Sequence, residues 1–219
     1  MDTTTNHKLL GVYVDQDLSF QKHIDYICKK LSQRIGLLRS IKHYLPFTER
    51  VLFYNAVIKP ILMYGGSVWG STSKDNIKRV FKLQKRAASV ILDAKTKETR
   101  TVRLFEKLGW LPFYDELHVN KLCIIYKSLN GQCPEYLSDQ ITRVSDISKR
   151  SSRHGNITLR CPKYSRETEG GRTFLISTIK LWNTLPVDIR SSNSIRAFKQ
   201  NCFEFFKNSY VEIDHFCIS

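Results

Sequence analysis

SKDNIKRVFKLQKRAASVIL, Ser73 to Leu92, is the stretch whose reading decides the fold. Ser73 can cap a helix, because its hydroxyl can accept from a backbone N–H of the first turn. At ~100° per residue, Ile77, Val80, Phe81, Gln84, Ala87, Ala88 and Ile91 fall on one side of that helix. Lys74, Lys78, Lys82, Lys85 and Arg86 gather on the other side. One face is built to pack and the opposite face offers cations. Like charges at i,i+4 repel and weaken an isolated helix. The repulsion is easier to understand if an anion lies against the stripe, although a plain solvated face would carry the same pattern.

Working outward, the same spacing predicts more helices. Phe20, Ile24, Ile27, Leu31, Ile35 and Leu38 give one buried face over Phe20 to about Lys42, with Lys22, Lys29, Lys30 and Arg39 off that face. Ser19 or Asp17 is the expected cap. A second helix, Glu49 to about Met63, should kink or end at Pro60. Downstream, helices are expected over about Arg100–Leu108, Phe113–Leu129, Pro134–Ile141, Thr173–Trp182 and Ser194–Lys207. Gly131 ends the second of these at the C-cap. Strand-like runs are few: Leu9–Val14 at the front and Ile157–Cys161 late in the chain. The fold class is therefore mainly α, a helical bundle with an N-terminal orphan strand and a small late β element. One strand cannot pair its own backbone groups, so the first run needs a neighbour. The expected organisation is an N-terminal strand over 1–18, a helical domain over 19–142, a Ser/Arg/Gly-rich connector over 143–172 and a helical extension over 173–219.

The bulk charge is +15 over 219 residues. It is concentrated. Residues 19–42 hold six Lys/Arg against one acid, 74–100 nine against three, and 143–172 eight against three. Such clustering points to a polyanionic partner, since solubility alone needs less charge. No apolar run reaches the length of a membrane span, and the polar N-terminus reads as neither signal nor transit peptide. An intracellular protein, nuclear or cytoplasmic, with reduced thiols is expected.

Familiar chemistry is missing. There is no Walker A sequence, dinucleotide glycine fingerprint or HExxH. Gly170–Gly171 ahead of a helix is a weak phosphate signal. Asp15 and Asp17 form a DxD, but a metal centre needs further carboxylates converging on it, so turn and capping roles are expected. The six histidines are scattered and pair with no serine or cysteine at a useful spacing. Neither a catalytic residue nor a metal ligand is assigned. Trp69, Trp110 and Trp182 sit near Gly or Pro at element ends, where core plugs are more usual than base-stacking platforms.

Four stretches, in order, carry a resemblance: LLGVYVDQDLSFQKHI at 9–24, LFYNAVIKPILMYGGSVWG at 52–70, IKRVFKLQKRAASVI at 77–91, and GGRTFLISTIKLWNTLPVDIRSSNSIRAFK at 170–199. Together they resemble the region downstream of the catalytic palm in reverse transcriptases of jockey-like non-long-terminal-repeat retrotransposons. The resemblance implies that the Leu10–Gly11–Val12 strand lies at the palm's end, near the primer grip. It also implies that the following helices form a thumb cradling the template–primer duplex, and that Leu181–Pro186 marks a C-terminal extension. The family's Tyr/Phe-x-Asp-Asp motif and the N-terminal endonuclease have no counterpart here, so a truncated polymerase is expected. The Mg²⁺ of the family would be held by residues not present, and no cofactor is expected.

The function this predicts is a fragment that is not itself an enzyme, holding the backbone of an RNA–DNA hybrid or DNA duplex without reading its bases. The expected contacts are Lys78, Lys82, Lys85 and Arg86, then Lys29 and Lys30, then Arg150 and Arg153. Palm and fingers domains are further expected partners, and a membrane is not. The alternative is a protein-interaction or inert remnant whose charge is inherited; a cryptic hydrolase would need carboxylates that converge.

Overall fold

The computed structural model describes residues 6–94, 101–147, 157–164 and 173–213. Among them the chain is mainly helical, as the periodicity predicts, and it divides into two compact units, 1–114 and 115–219.

The first unit opens with β1 (Asn6–Leu9) and β2 (Val12–Asp15), paired antiparallel from Asn6↔Asp15 to Leu9↔Val12. The front of the chain is thus a hairpin, and its first strand supplies the neighbour that a lone strand would lack. The break falls at Leu10–Gly11, where both residues have positive φ (45° and 84°). A two-residue loop of that kind matches the twist of the flanking strands and reverses the chain tightly. Glycine takes such a φ freely; Leu10 adopts it at a cost of about 1–2 kcal/mol, and the phenol of Tyr64 donates to its carbonyl at 2.7 Å.

From β2 the chain passes into α1 (Gln21–Ile41). Neither expected cap performs the main work. The Asp15 carboxylate accepts from Ser19 N (2.8 Å) and Phe20 N (2.7 Å), while Phe20 turns left-handed at φ 57°. Burial would raise the Asp15 pKa, but these backbone hydrogen bonds outweigh it and hold the carboxyl below its usual range. Ile24, Ile27, Leu31, Ile35 and Leu38 are buried along α1 as spaced.

Next come α2 (Phe47–Phe53), a π turn at Tyr54–Ile58, α3 (Lys59–Met63) and α4 (Gly66–Trp69). The π turn lies just before Pro60, whose ring nitrogen has no hydrogen to give the ladder. Gly65, at φ 62°, lies so close to the Val12 side chain that a Cβ there would meet it at 2.9 Å.

α5 (Lys74–Ile91) is capped by Ser73, whose hydroxyl accepts from Asn76 N at 3.3 Å. It runs in the same direction as α1. Thr72 Oγ1 donates to Ser19 O (2.7 Å) and Arg79 pairs with Asp25 (2.6 Å) at their N-terminal ends, and Lys42 pairs with Asp93 at the other end. α6 (Thr101–Leu108) packs on α5. Rings close the core: Trp69 stacks on Phe113 (6.2 Å) and Tyr54 on Trp110 (3.9 Å).

The second unit holds most of α7 (Phe113–Leu129), then α8 (Glu135–Ser138), α9 (Phe174–Thr184), α10 (Val187–Arg190) and α11 (Ile195–Ile213). Gly131, at φ 65°, ends α7: Gln132 N donates to Lys127 O at 2.8 Å and Gly131 N to Ser128 O at 3.4 Å. Among the described residues the late β element is an antiparallel bridge between Arg143 and Leu159. Tyr126 stacks on Phe198 with centroids at 4.6 Å, and Trp182 lies tilted against the same ring at 5.5 Å.

Candidate nucleic-acid interface

The candidate surface lies in the first unit, on the outer side of α5. The inner side buries Val80, Gln84, Ala87, Ala88 and Ile91. Gln84, the one polar member of that apolar stripe, is 3% exposed and spans the turn before α7: its Nε2 donates to Leu111 O (3.0 Å) and its Oε1 accepts from Phe113 N (2.8 Å). With this side anchored, the opposite side of α5 is directed outward.

Lys74, Lys78 and Lys82 are exposed there, and Lys85 and Arg86 are half-buried one turn further along. Among the described residues, none of Lys78, Lys82, Lys85 and Arg86 is in an ion pair. Arg79, on the flank facing α1, is committed instead to Asp25, and hydrogen bonding to that carboxylate raises its already high pKa. Lys29, one turn beyond Asp25, is exposed and continues along the same outer edge of α1.

Lys30 goes elsewhere. Its Nζ lies 4.6 Å above the Tyr26 ring, and its hydrogen bond to the phenol lowers the Tyr26 pKa. Tyr26 packs edge-on against Tyr13 at 5.4 Å, and Lys8 and Lys22 sit 5.6 and 5.3 Å from the Tyr13 ring. Sequence reading missed this lysine–tyrosine group, because it exists only once the hairpin lays Tyr13 beside α1. The available signal was strand alternation, which sets Tyr13 opposite the buried Val12. Arg150 and Arg153 lie outside the described residues, as do Gly170 and Gly171.

Among the described residues no group of three His, Cys, Asp or Glu could hold a metal ion. Asp15 is occupied with the α1 N-terminus. Trp69 and Trp182 are fully buried core plugs. Among the described residues no helix is long and apolar enough to cross a membrane.

Two curated relatives share part of this chain. Over 96 residues, 42% of the chain, it is 30% identical to the probable RNA-directed DNA polymerase from transposon BS of Drosophila melanogaster. Over 114 residues, 51% of the chain, it is 27% identical to the probable RNA-directed DNA polymerase from transposon X-element of the same fly. The aligned parts cover 11% and 12% of those proteins, so the chain spans about a tenth of their length. No family model matches, and no solved structure matches. About half of the chain is thus related to transposon RNA-directed DNA polymerases, in line with the broad resemblance read from its motifs.

Proposed function

We propose that this chain corresponds to the thumb and downstream extension of a jockey-like reverse transcriptase, and that it grips template–primer duplex through phosphate contacts without making bonds itself. The observation that carries this reading is the outer face of α5: Lys78, Lys82, Lys85 and Arg86, none in an ion pair among the described residues, lie opposite a face locked in the core. Lys29 extends the surface onto α1 and Lys30 flanks it beside the tyrosines; Arg150 and Arg153 remain further phosphate contacts proposed from the sequence alone. Cations at helical spacing can follow a phosphate backbone whatever its sequence. No metal or cofactor of the chain's own is needed for this role.

The test is binding of an RNA–DNA hybrid and of a DNA duplex, followed by fluorescence anisotropy at low salt. K78E/K82E/K85E should weaken both roughly a hundredfold while leaving the Tm within a few degrees, because the three side chains are outside the core. Unchanged affinity in a folded triple variant would overturn the assignment.

A second reading, docking of a protein partner, is favoured by one observation. Leu9 and Leu10, 66% and 84% exposed, stand at the hairpin turn near Tyr64, 57% exposed. In that case L9D/L10D would abolish capture of the polymerase region of a fly relative supplied in trans and leave duplex affinity unchanged.

A further inference from the structure

The second unit contains a cleft of about 180 Å³ that the duplex grip does not use. Its wall includes Tyr126, Asn130, Arg143, Trp182, Arg190 and Ser192. Two of these six are guanidinium groups, and no carboxylate among the described residues pairs with either.

The two arginines are held differently. Arg143 is anchored by one N–H, Nη2 donating to Leu129 O at 3.1 Å, and no other side-chain hydrogen bond of its fork occurs among the described residues. Arg190 closes the short α10, which starts from Pro186. Its Nε and Nη1 are buried and meet no hydrogen-bond acceptor among the described residues. Burial lowers the Arg190 pKa, although a guanidinium keeps its proton at any physiological pH. Buried unpartnered N–H groups on a cation are costly, so they call for an acceptor that the described residues do not supply.

Neighbouring polar groups leave this role to the arginines. Tyr126 spends its hydroxyl proton on Ser192 O (2.7 Å), Ser192 donates its own to Ile189 O (2.7 Å), and Trp182 gives its indole N–H to Ile157 O (2.8 Å). Asn130 Nδ2 donates one N–H to Tyr126 O at 2.8 Å, and these bonds fix the wall and leave the guanidinium forks as its charged donors.

We propose that this cleft binds a phosphate monoester, with Arg190 and Arg143 as its two ligands. The charges match: a monoester carries close to two negative charges, against two guanidinium groups. The donor chemistry also fits, because guanidinium forks bind oxyanions two N–H groups at a time. A carboxylate would supply half the charge and fewer acceptor oxygens. The phosphate can belong to a free nucleotide or to the end of a nucleic-acid strand, and both present the same group to the arginines.

The test uses the full chain with four probes: inorganic phosphate, adenosine 5′-monophosphate, and one oligonucleotide in 5′-phosphorylated and 5′-hydroxyl forms. Titration calorimetry and thermal shift are read on wild type, R190M, R143M and R190K. Saturable binding of a phosphate-bearing probe is expected in wild type, with a loss of ~10–100-fold in R190M and R143M and about tenfold in R190K. A strand end is indicated if the phosphorylated oligonucleotide exceeds its hydroxyl form by the factor that R190M removes. A free nucleotide is indicated if the two oligonucleotides bind alike and the monophosphate saturates. R190M should also match or exceed the wild-type Tm without phosphate, since it removes the unpartnered N–H groups; should it fail to fold, R190K and R143M carry the comparison. Absence of saturable binding by every phosphate probe, or equal binding by wild type and the folded variants, would overturn the proposal. K78E/K82E/K85E should retain the response to inorganic phosphate, so this site and the duplex grip can fail separately.

Discussion

Asn183 shows what the Leu181–Pro186 signature does for the second unit. Its Oδ1 accepts from Leu159 N at 3.0 Å and its Nδ2 donates to Leu159 O at 2.8 Å, so one amide satisfies both backbone groups of a buried residue. The adjacent Trp182 ties down Ile157, and Leu185 is buried before Pro186 opens α10. Asn183→Ala should therefore cost about 1.5–3 kcal/mol, seen as a Tm several degrees lower in a calorimetric scan, and Asn183→Asp should recover little because it cannot donate to Leu159 O. His23 offers a test in pH. It is buried in the first unit, its Nδ1 accepts from Tyr13 N at 3.4 Å, and burial lowers its pKa. Because the folded pKa lies below the unfolded one, protons bind the unfolded chain first as pH falls. The neutral ring's contribution is complete above the ordinary histidine range. It is lost as pH drops from about 6.5 toward the lowered folded value, at no more than about 1.4 kcal/mol per pH unit. Denaturation curves from pH 7.5 to 5.5 should show this slope in wild type and a shallower one in His23→Gln.

At the scale of elements, α5 depends on Gln84, the buried polar side chain within its apolar stripe. Gln84 satisfies Leu111 O and Phe113 N, and replacing it with leucine leaves both backbone groups buried and unpaired. Gln84→Leu should lose about 2–4 kcal/mol in urea denaturation despite the gain in hydrophobicity, while Lys78→Gln on the outer face should change stability by less than about 0.5 kcal/mol. The sequence announces the ends of α5 and α7 because Ser73 and Gly131 act through local backbone geometry that residue type reports directly. Other elements were hidden for physical reasons. The hairpin depends on Leu10 adopting a left-handed conformation that leucine rarely takes, so Leu9 to Val14 reads as one strand. The π turn at Tyr54–Ile58 keeps helical periodicity on both sides and shows only in its hydrogen bonds. α10 is one turn long, too short for a periodic signal. The cationic stripe was legible from spacing alone. The partial burial of Lys85 and Arg86, and the turning of Lys30 toward Tyr26, depend on tertiary packing that no helical wheel contains.

Across the whole molecule, the dominant quantity is charge: 35 Lys and Arg against 20 Asp and Glu. A net +15 repels itself and is a cost to any compact fold, one that a polyanion offsets when it binds. The ion pairs described in the first unit, Asp25–Arg79 and Lys42–Asp93, join α1 to α5 at their ends and leave the outer lysines of α5 unpaired among the described residues. The two units call for different partners under this account, a duplex backbone along α5 and a single phosphate in the Arg143–Arg190 cleft. The claim that α5 holds a phosphate backbone is tested most directly by the salt dependence of duplex affinity. Plotted as log K against log salt, wild type should fall with a slope of about −4 to −6. K78E/K82E/K85E should be shallower by about three, because each lysine that no longer neutralises a phosphate releases one counterion fewer. A wild-type slope near zero, or the same slope in both proteins, would contradict it.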